Sequence, residues 1–127
     1  MQLAHVALWT TDIDAAAAFW QRYFDATVGE PYCSARRIGF VSRFVTLPDD
    51  GGRIELMTGP WIVAAGADDS TGWDHIALSL GSGAAVDALA ARCAADGVLV
   101  SAPRTTGDGF YEAVIAMPDG TRIEITA

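Results

Sequence analysis

The only two histidines of this chain, His5 and His75, each open an apolar strand pattern. Each is matched downstream by a glutamate on another strand pattern, Glu55 for the first and Glu124 for the second. Two neutral imidazoles and two carboxylates suit a divalent ion of intermediate softness, such as Ni²⁺, Co²⁺, Zn²⁺, Mn²⁺ or Fe²⁺. Four protein ligands on an octahedral ion leave two positions for water or substrate oxygens, and two carboxylates neutralise a dication. Such a site favours proton abstraction from carbon: the ion offsets charge developing on substrate oxygens while a loosened glutamate acts as base. A single strand histidine or strand-end glutamate is ordinarily a satisfied or solvated polar group. The recurrence sets these four apart.

Ala4-His5-Val6-Ala7-Leu8 returns as Asp74-His75-Ile76-Ala77-Leu78, and Arg53-Ile54-Glu55-Leu56 returns as Arg122-Ile123-Glu124-Ile125. The histidines stand 70 residues apart and the glutamates 69. Turns of different length, Asp49-Asp50-Gly51-Gly52 against Asp119-Gly120, absorb the slip.

The elements that must position these groups repeat as well. In the first copy the pattern predicts a strand over residues 2–9, a helix capped by Asp12 or Asp14 and running to about residue 26, and strands near 27–33, 38–47 and 53–58. The stripe Phe19, Trp20, Tyr23 and Phe24 has helical spacing and reads as core. Residues 59–72, with Pro60, Gly66, Asp68-Asp69 and Gly72, read as a connection. The second copy predicts a strand over 73–80, then a helix opened by Ser82, lined by Val86, Leu89, Ala90 and Cys93, and closed by Gly97. Strands follow near 98–101, 109–117 and 121–126, with Pro118-Asp119-Gly120 as a hairpin turn. The fold class expected is therefore α+β, with two βαβββ modules: module one 1–59, a connection 60–72, module two 73–127, all in one 127-residue domain.

Strand phase assigns the faces. Ile54 and Leu56 point opposite to Arg53, Glu55 and Met57, and Ile123 and Ile125 point opposite to Arg122, Glu124 and Thr126. Both glutamates thus leave the helix-packed face. So do both histidines if Val6, Leu8, Ile76 and Leu78 face the helices.

Composition bounds the rest. The chain is 51% hydrophobic and 19% charged with a net charge of −8, which fits a globular domain and argues against nucleic acid or an anionic membrane as partner. All 8 basic residues are arginine, so lysine chemistry is absent. No signal peptide or membrane-length apolar run is evident. Cys33 and Cys93 form no CxxC, and Cys93 reads as a buried structural thiol. Together these features predict a cytoplasmic protein with free thiols.

From His5 to Glu124 the chain resembles the vicinal oxygen chelate superfamily, the glyoxalase, bleomycin-resistance and dioxygenase group. That resemblance implies paired βαβββ modules forming a cup-shaped mixed sheet around a metal, and a homodimer. The order His5, Glu55, His75, Glu124 is similar to glyoxalase I (lactoylglutathione lyase). Fosfomycin-resistance and dioxygenase branches place another residue where Glu55 stands, methylmalonyl-CoA epimerases typically have glutamine there, and the bleomycin-binding branch lacks the ligands. The implied metal set is His5, Glu55, His75 and Glu124. Glu124 is the implied general base and Glu55 a second carboxylate able to act on the opposite substrate face. The implied reaction isomerises a hemithioacetal of methylglyoxal to a thioester of D-lactate, with Ni²⁺ or Co²⁺ favoured and Zn²⁺ or Mn²⁺ possible.

Two positions depart from the glyoxalase pattern. Bacterial glyoxalase I enzymes usually carry an arginine four residues after the first histidine and an asparagine four after the first glutamate, and both help to hold glutathione. Here these are Trp9 and Gly59. The thiol co-substrate is therefore glutathione or another small thiol, or the substrate is another small α-hydroxycarbonyl compound. Trp9 and Met57 are candidate apolar walls, and Arg104, Thr106, Tyr111 and Arg122 are candidate substrate contacts. Arg104, Thr106 and Tyr111 come from residues 103–112, a stretch with no counterpart in module one. The competing readings are a metal-free drug- or metabolite-binding module and a thiol or fosfomycin transferase.

Overall fold

A computed structural model of the chain describes residues 2–64, 73–107 and 109–127. Two compact units emerge, Met1–Gly66 and Ala67–Ala127. Most of the expected connection, including Gly66, Asp68-Asp69 and Gly72, lies outside the described residues.

In the first unit the order is β1 (Val6–Trp9), α1 (Ile13–Phe24), β2 (Thr27–Val28), β3 (Tyr32–Cys33), β4 (Val41–Thr46) and β5 (Arg53–Thr58). The sheet runs β1-β5-β4-β2, with β3 also on β4. β1 is parallel to β5, and the other pairings are antiparallel. The Asp12 side chain accepts from the amides of Asp14 and Ala15, which starts α1. Asp25, left-handed at φ 51°, stops it. The aromatic stripe is buried as expected: Phe19, Trp20, Tyr23 and Phe24 pack with Val45, Ile54 and Leu56 in the core.

The second unit repeats the plan with β6 (His75–Ser79), α2 (Gly83–Ala95), β7 (Leu99–Thr105), β8 (Tyr111–Ala116) and β9 (Arg122–Thr126). Its sheet runs β6-β9-β8-β7, with β6 parallel to β9. Ser82 caps α2 on the amide of Ala85, and Val86, Leu89, Ala90 and Cys93 are buried with Ala113, Ile115, Ile123 and Ile125. Helices and mixed sheets thus form the expected two-module α+β fold.

Three boundaries differ from the sequence pattern. The first strand begins at Val6, because its ladder to β5 starts at Val6 opposite Ile54. The expected strand near 27–33 is two short pieces separated by Gly29-Glu30-Pro31. β7 extends through Pro103 and Arg104 to Thr105, residues expected in a loop. It is an edge strand, where a missing proline N–H costs no ladder bond.

The two thiols are in contrasting environments: Cys33 is exposed, and Cys93 is fully buried, with burial pushing its thiol above the ordinary range. An aromatic disulfide reagent is expected to titrate one thiol per chain in native buffer and two in denaturant. Rapid native labelling of both would contradict the packing of α2.

Candidate metal-ligand pairs

The ladders position both glutamates the same way, while His75 lies on β6 and His5 immediately precedes β1. Ala7 lies opposite Glu55 and Ala77 opposite Glu124. Each histidine precedes its alanine by two residues; His75 thereby shares the face of Glu124 one rung away, and His5, just before β1, is placed by its approach to Glu55. An alanine beside the carboxylate leaves room for the imidazole to lean across. Ile54, Leu56, Ile123 and Ile125, in the opposite phase, fix the register by their burial.

His5 Nε2 stands 3.6 Å from Glu55 Oε2, and His75 Nε2 stands 3.4 Å from Glu124 Oε2. These distances are long for a hydrogen bond. Two donors each about 2.1 Å from a common ion lie about 3.0 Å apart at a right angle and about 3.4 Å apart at the tetrahedral angle. Both pairs sit at or slightly beyond that spacing. The glutamates are the more buried members, with side chains 20% and 16% exposed against 42% and 39% for the histidines. Among the described residues, no group of three or more His, Cys, Asp or Glu side chains is gathered closely enough to hold an ion. The structure therefore supplies two His–Glu pairs, each within its own unit.

The two histidines are held differently. His75 Nδ1 is 2.7 Å from Asp74 Oδ2, and Arg122 Nη1 donates to Asp74 Oδ1 at 3.5 Å. The hydrogen bond with His75, aided by Arg122, holds the Asp74 carboxyl below its ordinary value despite some desolvation. With Nδ1 committed to a carboxylate, Nε2 is the free ligand position, a common support for metal-binding histidines. His5 instead meets Phe44 edge-on at 5.3 Å, and Arg53 lies over the same Phe44 ring at 4.0 Å. Asp74 stands where the first copy has Ala4. That difference was visible in the sequence, but its contact was not.

The other candidates divide. Met57 pairs with Trp9 across β5 and β1, on the face of Glu55. Arg104 pairs with Glu112 across β7 and β8, and Glu112 shares its face with Val114 opposite Glu124. Arg104 Nη2 lies 3.6 Å from the buried Glu112 carboxylate, and Nη1 also contacts Ser101. Arg122 pairs with His75 across β9 and β6. Thr106 donates its hydroxyl to the Phe110 carbonyl, bracing the β7–β8 turn.

Tyr111 stands apart from the other candidates. It lies in the phase of Ala113 and Ile115, on the helix side, and donates to Asp87 Oδ1 of α2 at 2.6 Å, which raises its pKa. The buried Ile115 dictates this phase, so strand alternation could have excluded Tyr111 from the glutamate face.

Residues 2–125 match the Glyoxalase/Bleomycin resistance protein/Dioxygenase superfamily. A relative, uncharacterized protein PA2024 of Pseudomonas aeruginosa, is 35% identical over 106 residues, spanning 80% of this chain and 70% of that one. Among solved structures, a point mutant of glyoxalase I from Zea mays superposes with a TM-score of 0.78 at 18% identity, covering 98% of this chain and 44% of that one. A point mutant of the fosfomycin resistance protein FosX from Listeria monocytogenes, complexed with Mn(II) and 1S,2S-dihydroxypropylphosphonic acid, gives 0.72 at 21% identity, covering 99% and 91%. At these identities the two structures speak for the fold.

Proposed function

This chain belongs to the glyoxalase/bleomycin resistance/dioxygenase superfamily, and from that premise we propose that it is a divalent-metal-dependent isomerase of the glyoxalase I type. Superfamily members commonly bind a divalent metal and a small-molecule substrate. In this reading His5, Glu55, His75 and Glu124 are the metal ligands, for Ni²⁺ or Co²⁺ in preference to Zn²⁺ or Mn²⁺. The observation that carries it is the recurrence of a His–Glu pair at matched positions of the two units, each with donor atoms at a ligand-like 3.4–3.6 Å.

When bound, the ion would supply Lewis-acid stabilisation of charge developing on substrate oxygens. The protein's own groups move the proton. Glu124 takes it from the carbon bearing sulfur and hydroxyl in a hemithioacetal and returns it to the neighbouring carbonyl-derived carbon. The first carbon ends oxidised to a thioester and the second reduced to an alcohol, so no external oxidant is needed. Glu55 is the second carboxylate, able to serve the opposite substrate face. The half-buried carboxylates limit competition from water for that proton. A homodimer and a thiol co-substrate, glutathione or another small thiol, complete the proposal.

Metal content per chain tests it, on untagged protein purified without chelator. About one equivalent of transition metal is expected, and it should be lost in Glu55→Gln/Glu124→Gln. Hemithioacetals of methylglyoxal with several thiols then test the reaction. No metal after incubation with Ni²⁺, Co²⁺ and Zn²⁺ would sink the isomerase and leave a metal-free binding module. Metal without isomerisation, but with thiol addition to an epoxide, would make it a transferase of the fosfomycin type.

A further inference from the structure

Beyond Glu55 on the same face of the first unit lies a cluster that the His–Glu chemistry does not use. Trp9 is one rung past Ala7, the partner of Glu55, about 7 Å along the strand. Over its ring, 5.5 Å from the centroid, stands the guanidinium of Arg37, which also lies 3.9 Å from the centroid of Trp61. Trp9 and Trp61 remain 41% and 38% exposed, so neither indole is consumed by core packing.

The backbone around the cluster is tightly fitted. Residues 34–40 form a closed loop: Ser34 N–H donates to the Phe40 carbonyl, Phe40 N–H to the Arg37 carbonyl, and Arg37 N–H to Ser34 Oγ. Gly39, at φ +87°, packs so closely on Pro60 that an added Cβ would come within 2.7 Å of the proline ring. Gly59 lies under Trp61, and a Cβ there would fall 2.5 Å from the indole. Any other residue at 59 would push Trp61 off its seat. The two positions that depart from the glutathione-holding pattern, Trp9 and Gly59, thus both build this cluster: one is a wall and the other a floor.

This chain carries 16 acidic residues against 8 basic ones, and Arg43, Arg104 and Arg122 each meet a carboxylate. Among the described residues Arg37 makes no ion pair. The guanidinium lies over two indole rings, close to Trp61 and further from Trp9. A cation–π contact uses the charge without using the N–H donors, and a guanidinium fork can match a carboxylate bidentately. The exposed indole surface beside it offers an apolar, π-rich bed for a flat group.

We propose that Trp9, Arg37 and Trp61 form a recognition subsite for a flat organic carboxylate, with the carboxylate on the Arg37 edge and the planar body against the indoles. The subsite deepens the isomerase reading and rests on it only for which atoms react. It selects an arene- or alkene-bearing acid, with the reacting carbons about one strand rung away at Glu55.

Full-length protein is titrated with trans-cinnamate, cinnamamide and 3-cyclohexylpropanoate while the indole N–H signals of Trp9 and Trp61 are followed by NMR. The series is run on protein as purified, and repeated after chelator treatment and dialysis. Cinnamate is expected to shift both signals in both states, binding about tenfold or more tighter than either analogue. Arg37→Ala should lose about that factor, Arg37→Lys should recover only part of it, and Gly59→Ala should weaken binding without changing charge. Equal binding of cinnamate and cinnamamide would overturn the subsite, as would undiminished binding by Arg37→Ala. Cinnamate binding that vanishes with the metal would place the carboxylate on the ion and overturn it too. Metal content on the same samples separates the two proposals: protein that takes up no metal, as purified or after incubation with Ni²⁺, Co²⁺ and Zn²⁺, yet binds cinnamate sinks the isomerase alone, and metal-replete protein blind to the carboxylate sinks the subsite alone.

Discussion

Glu124→Gln is expected to lower isomerase turnover by about 10²–10⁴-fold, the range for removal of a positioned general base. Glutamine keeps the shape and one ligating oxygen, so the expected loss lies in proton transfer and not in folding. Glu124 sits between Ala77 and Val114 on its ladder, with its side chain 16% exposed, so an isosteric change disturbs little packing. The thermal midpoint should move by no more than a few degrees. Glu55→Gln in parallel tests the division of labour, because the two carboxylates occupy equivalent rungs and differ in their surroundings. A larger loss at Glu55 than at Glu124 would exchange their roles. Full turnover in both variants would remove carboxylate base catalysis altogether.

Much of this arrangement was legible in the sequence because it rests on strand alternation. Ile54 and Leu56, like Ile123 and Ile125, have only one buried face available, and that alone turns Glu55 and Glu124 the other way. Local capping chemistry was equally readable at Asp12 and Ser82. What escaped depends on partners distant in sequence. β7 reaches Thr105 because Arg104 and Thr105 pair with Glu112 and Tyr111, and no local propensity around Pro103 announces that ladder. Arg37 meets Trp61 only because residues 34–40 and 59–62 fold against each other through Gly39 and Pro60, a contact between two irregular segments. The side of Tyr111, by contrast, follows from its phase with the buried Ile115, which turns it toward Asp87 of α2.

Asp74→Ala is expected to weaken metal binding by about 10–100-fold, the usual cost of removing the partner that orients a ligating imidazole. In the wild-type chain the 2.7 Å contact to Asp74 commits His75 Nδ1 and leaves Nε2 facing Glu124 at 3.4 Å. Without the carboxylate the ring is free to rotate and to change tautomer, so ordering it must be offset at each binding event. Asp74→Asn should fall between, since its amide oxygen still accepts from Nδ1–H but carries no charge to strengthen the bond or to hold Arg122. A purely structural role predicts something else. The Asp74 side chain is 65% exposed, so its loss should leave the thermal midpoint almost unchanged. Competition titration with Zn²⁺ or Co²⁺ reads the affinity, and the ¹⁵N shifts of His75 read the tautomer directly. His5 supplies the internal control: its ring rests against Phe44, so its ¹⁵N shifts should stay where they are in both Asp74 variants. Equal affinities across wild type, Asn and Ala would mean that the Glu124 side of the pair positions the ion unaided and that Asp74 merely solvates the strand end.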